Sequence, residues 1–184
     1  MKSSLIITIT AFGLLQGHLS IAQTAAADNK PWQAITFQPI PKGPSFLGAF
    51  EGRIPCVGIV PQLKLKTAAD CEKLKCRLVL FHDPSTMQPA NFEFRIVGGG
   101  EVQWQDGHSY RLTNLEGKWS KEKGMPSDQE AEIYVLEPAA IQAKLYLLKG
   151  DNNVLFVLDE NKGFRTGNEN FSYTLNRVEL VPGK

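Results

Sequence analysis

What most constrains the fold of this chain is a change of pattern at Phe46. From there on, short runs of aliphatic, β-branched and aromatic residues recur, and several alternate apolar with polar at every second position. Period two is the spacing of a strand with one buried face, because successive side chains point to opposite sides of a sheet. Gln62–Lys66 (QLKLK) and Phe92–Ile96 (FEFRI) alternate cleanly. Arg77–Phe81, Ala131–Leu136, Lys144–Leu148 and Val154–Leu158 are β-rich runs bounded by turn residues, and Phe171–Leu180 reads as a last strand. Between them stand Gly98–Gly100, Asp106–Gly107, Gly150–Asn153 and Asn161–Gly163, the residue types that tight hairpins require. Helical turns are expected only at Pro138–Ala143 and Ala68–Leu74. The pattern predicts an all-β fold, a small antiparallel β-barrel of eight to ten strands with short helical turns. A barrel is favoured over a sandwich because closure removes the edges that so many strands would leave.

Upstream of Phe46 the chain reads differently. Residues 1–22 carry one Lys, then an uncharged, mostly apolar run ending in Ser20-Ile21-Ala22, the small-residue spacing of a signal-peptidase site. A cleaved secretory signal is expected there. Residues 23–45 hold Pro31, Pro39, Pro41 and Pro44, a density that blocks helix and ladder alike, and read as an extended leader. Trp32 and Phe37 are its candidate docking residues. Residues 46–184 then form one domain. The first cysteine is Cys56, so no thiol is placed for lipid attachment at the new N-terminus. With 20 basic and 19 acidic residues the net charge is +1, which gives no field to gather nucleic acid. No apolar run after the signal is long enough to span a bilayer. The expected product is soluble and exported, periplasmic or extracellular.

The order of motifs carries a family resemblance. Gly52-Arg-Ile-Pro-Cys56 is followed by Gly58-Ile59, then Gly117-Lys-Trp119, then Val154–Asp159 leading to Gly163, and a terminal Tyr173-Thr-Leu-Asn-Arg177. Taken together this resembles the N-terminal domain of the NlpE copper-resistance lipoproteins. The resemblance implies a small lipocalin-like barrel of the bacterial cell envelope, with a ligand-binding, envelope-stress or copper-homeostasis role. The family's paired Cys-x-x-Cys is absent here, since only Val57 separates Cys56 from Gly58, and the lipobox cysteine is missing too. Copper binding through paired thiols therefore does not carry over.

Three cysteines leave the candidate chemistry open. Cys71 and Cys76 flank four residues between two expected strands, and in an exported protein such a pair can close the loop as a disulfide. Cys56 with Cys71, or with Cys76, are the alternatives. A Cys56 left over would act either as a small apolar plug or as a soft-metal ligand for copper, with His82, Met87 or His108 as partners. No other cofactor is expected. Asp106-Gly-His-Ser109 reads as a polar hairpin tip; no nucleophile elbow accompanies the serine, and the chain is expected to be non-enzymatic. Trp104, Tyr110, Trp119, Tyr134, Tyr146, Phe156 and Tyr173 are read mainly as packing residues. If some of them line a cavity instead, the alternative function is a lipocalin-like carrier of a small hydrophobic ligand. An envelope protein is the other candidate partner.

Overall fold

The computed structural model describes residues 38–99 and 110–179. Eight antiparallel strands follow one another around a closed, lipocalin-like barrel: β1 Phe46–Pro55, β2 Lys73–His82, β3 Pro89–Gly99, β4 Tyr110–Met125, β5 Asp128–Pro138, β6 Leu145–Lys149, β7 Val154–Val157 and β8 Thr174–Arg177. The alternation decides which residues fill it. Along β2, Leu74, Cys76, Leu78 and Leu80 enter the core while Lys73, Lys75 and Arg77 take the outer face. Phe50 and Ile54 of β1, Phe92, Phe94 and Ile96 of β3, and Trp119 of β4 join them.

That interior is full. Phe50, Phe92 and Phe94 each keep 2% or less of their surface accessible, whereas side chains lining an internal void would expose area to it. An eight-stranded barrel is just wide enough for its own side chains. A smaller apolar cluster lies on the outer face of β5 and β6, where Met125, Ala131, Ile133, Val135 and Leu158 are buried and Tyr146 and Leu148 pack against them. A register shift between Lys123 and Met125, with Gly124 at φ +91°, turns Met125 to that side.

The 16-residue β4 is the hinge of the topology, since it serves two partners in turn. It pairs with β3 through Lys118 and with β5 from Gly117 onward. At this handover a Cβ on Gly117 would strike the Glu137 backbone carbonyl and the Phe92 ring, so the close approach depends on glycine.

Both barrel ends are plugged. At one, a helical turn, α1 (Ile59–Gln62), inserts Ile59 and the following Leu63 into the core. Gln62 Nε2 donates to the Lys144 carbonyl at 2.8 Å and Arg165 Nη2 donates to Gln62 Oε1 at 2.6 Å, tying the plug to the opposite wall. At the other end Arg177 stands 4.6 Å above the Phe50 ring, donates to the Leu47 carbonyl and pairs with Glu179.

Two sequence expectations are corrected. Gln62–Lys66 is not a strand: the buried pair is Ile59 and Leu63, at helical i, i+4 spacing, with Leu63 N–H donating to Ile59 O. Lys64, at φ +51°, then ends the turn. Conversely, Pro138–Ala143 and Ala68–Leu74 form strand ends and turns, not helix.

Candidate functional site

The cysteines pair as Cys56–Cys71, with Cys76 free. The expected Cys71–Cys76 bridge is thereby corrected, and the register of β1 on β2 gives the reason. Pro55 sits opposite Lys73, which draws the residues just beyond those two strand ends together. Cys56 N–H donates to the Glu72 carbonyl, and the Cys56 and Cys71 Cα atoms lie 5.9 Å apart, inside the range a disulfide spans. Cys76 meanwhile points from β2 into the core. Burial raises its thiol pKa far above the ordinary value, which makes it an inert filler.

The metal set proposed from sequence is corrected on the same evidence. Cys56 is consumed by the disulfide and offers no thiolate. His82 closes β2 at the opposite end of the barrel, because Phe46–Phe81 and Pro55–Lys73 are the two extremes of the β1–β2 ladder. Met87 lies in the β2–β3 turn, 63% exposed, and His108 falls outside the described residues. Among the described residues no three His, Cys, Asp or Glu side chains gather as a metal would need.

Of the aromatic set, Trp119, Tyr134 and Tyr173 are core residues. Trp119 and Tyr134 meet at 4.9 Å, and Trp119 Nε1 donates to the Phe81 carbonyl at 2.6 Å. Tyr173 OH donates to Val57 O at 2.5 Å, beside the disulfide. Tyr146 lies under Lys162 and Phe156 against Phe164, both on the outer wall. Trp104 and the Tyr110 ring fall outside what is described.

The recesses that remain are therefore external. A groove of about 1000 Å³ runs where β4 leaves β3 for β5, floored by Phe92 and Gly117 and walled by His82, Asn91, Glu93, Lys118 and Glu137. Three cross-strand pairs assemble its lining: Asn91 with Lys118, Glu93 with Glu116, and Gly117 with Pro138. Lys118 Nζ donates to Asn91 Oδ1 at 2.7 Å. Glu93 facing Glu116 is a like-charge cross-strand pair, which costs stability unless a cation or donor sits between them. At one edge the Asp83 carboxyl is held below its usual range by the Thr86 and Ser85 backbone N–H groups. His82 stands in the wall, 7% exposed, with neither ring nitrogen hydrogen-bonded.

Of these groove residues the sequence offers only His82 as a candidate ligand, and Gly117 and Lys118 enter it only as part of the Gly117-Lys-Trp119 motif. Glu93 and Glu116 become a pair only through the β3–β4 register, and no local spacing announces it.

No family model, no curated protein and no solved structure matches this chain. Among the described residues no helix is long and apolar enough to cross a membrane.

Proposed function

We propose that the protein is an exported, non-enzymatic protein of the bacterial cell envelope, NlpE-like in kind, which acts by recognising a polar ligand or protein segment on the outside of its barrel. The single observation behind this is the filled interior: Phe50, Phe92 and Phe94, with 2% or less of their surface accessible, leave the clefts on the outer wall as the surfaces open to a ligand. The groove along β4 is the first of these, with carboxylates and Lys118 supplying acceptors and donors. The signal-like residues 1–22 and a disulfide, which persists in oxidising compartments, support export. A role in copper handling through Cys56 loses its chemical basis, and interior carriage of a hydrophobic molecule loses its space.

The test is expression of the full chain in a Gram-negative host, followed by osmotic-shock fractionation and N-terminal sequencing. The protein should leave with the periplasmic fraction, shortened near Ala22. It should also fail to turn over generic ester, glycoside or peptide substrates. Full-length protein retained in the cytosol, or turnover at enzyme-like rates, overturns the reading.

A further inference from the structure

The groove along β4 carries a charge imbalance that the fold does not resolve. Four carboxylates line it, Asp83, Glu93, Glu116 and Glu137, against the single ammonium of Lys118. Two of the four are satisfied. Asp83 accepts from the Ser85 and Thr86 backbone N–H groups, and Glu137 pairs with Lys144 Nζ at 2.6 Å. Glu93 and Glu116 stand exposed and directly opposite each other across β3 and β4, and neither carboxylate has a hydrogen bond or ion pair among the described residues. The neighbouring cations leave them alone. Lys118, two residues beyond Glu116, donates to Asn91 Oδ1 at 2.7 Å, and Arg95, two beyond Glu93, makes no ion pair. Residues opposed in this way have Cβ atoms only about 5 Å apart, so one cation can be held by both carboxylates.

The wall of the same groove holds a second unmet group. His82 is 7% exposed, and neither of its ring nitrogens has a partner. A neutral imidazole presents one N–H donor and one bare nitrogen acceptor, so it is met in full only by a ligand that both accepts and donates. A metal ion would need a third ligand beside the two glutamates, and among the described residues no such trio gathers. A simple alkylamine supplies donors only. A peptide amide supplies one of each.

We propose that the groove binds a basic segment of a partner protein, an extended peptide whose lysine ammonium lies between Glu93 and Glu116 while a neighbouring main-chain amide meets His82. The ammonium forms charge-assisted bonds to both carboxylates and relieves their repulsion. Its methylene stem lies along Gly117 and Pro138, as lysine stems do on apolar surface. About 1000 Å³ admits several residues of chain rather than one side chain. The inference rests on the reading that this barrel recognises its ligands on the outer wall, and it narrows the ligand to a cationic peptide.

Calorimetric titration of the purified protein with acetyl-Ala-Lys-Ala-Lys-Ala-amide tests it, with the glutamate-for-lysine peptide and cadaverine as comparisons. The lysine peptide should bind saturably and more weakly as salt is raised, the glutamate peptide should not bind, and cadaverine should bind more weakly than the lysine peptide. The Glu93→Gln/Glu116→Gln variant should bind the lysine peptide about tenfold more weakly, the loss expected for a charge-assisted contact. It should also melt no lower than wild type, since it removes a like-charge pair, so weaker binding cannot be mistaken for unfolding. The Glu160→Gln/Glu169→Gln variant changes two exposed carboxylates outside the groove by the same net charge and should bind like wild type. His82→Leu should bind the lysine peptide about fivefold more weakly and narrow its advantage over cadaverine, the mark of a lost amide contact rather than a lost charge. Absence of saturable binding by the lysine peptide, equal weakening by both double variants, or an advantage over cadaverine that survives His82→Leu overturns the assignment. Saturable binding of the glutamate peptide alone overturns it too, while leaving external recognition in place. Retention of the chain in the cytosol would instead overturn the envelope role and leave these affinities untouched.

Discussion

Cys76 lies opposite Gly52 on β1, only four residues before Cys56, yet the environments of the two thiols give them opposite chemistry. The β1–β2 ladder sets Cys56 beside Cys71 just past the strand ends, and it sets Cys76 into the core with no exposed surface. Closing a loop of sequence separation 15 is worth about 3 kcal/mol in the chain-entropy account. The Cys56→Ser/Cys71→Ser variant should therefore lose about that much in a urea melt. Lys73 and Lys75 lie between Cys71 and Cys76, so non-reduced tryptic peptides separate the two pairings. A Cys56–Cys71 linked peptide is expected, with one thiol that reacts with Ellman's reagent only after guanidinium is added. A Cys71–Cys76 linked peptide, or a thiol that reacts at once in the native protein, would contradict the structure. None of this was legible from cysteine spacing alone. Cys71 and Cys76 are near in sequence, but β2 begins between them and sends their side chains apart.

At the scale of elements, legibility followed the balance of large apolar residues on one face. The runs at Arg77–Phe81, Phe92–Ile96, Ala131–Leu136, Lys144–Leu148 and Val154–Leu158 all fall within or on β2, β3, β5, β6 and β7. The longest strand, β4, was not read from the sequence. Its core-side positions 113, 115, 117 and 119 are Thr, Leu, Gly and Trp, while Leu112 on the other face is 42% exposed. Two large residues in four is too sparse a signal for period two. Gln62–Lys66 is the reverse case: two leucines at the right interval imitate a strand where the chain instead leaves the plug α1 in a turn. Glycine at 117 explains part of the silence in β4, because the handover from β3 to β5 needs a position without a side chain. Gly117→Ala should cost about 1–3 kcal/mol, the usual penalty for inserting a methyl group into a packed contact. A lowered urea midpoint at unchanged slope is the expected result. An unchanged midpoint would mean that the Glu137 carbonyl and Phe92 yield freely, and the handover would then need another explanation.

For the molecule as a whole, closure and filling are one event. Eight strands leave an interior that Phe50, Phe92, Phe94, Trp119 and Tyr134 occupy, α1 and Arg177 stop the two ends, and recognition moves to the outer wall. A carrier barrel would need the opposite arrangement, with small side chains at the level where β3 places two phenylalanines. The native chain and a hollowed one differ measurably. Phe94→Ala should lower the unfolding free energy by about 3–5 kcal/mol and leave a dry apolar cavity. Benzene should then raise the melting temperature of that variant and leave wild type unmoved. Wild type should likewise give no saturable signal with a fluorescent fatty-acid analogue. If wild type bound the analogue stoichiometrically, or gained as much from benzene as Phe94→Ala, the interior would have to open in solution. The external grooves would then lose their claim to be where this barrel meets its ligands.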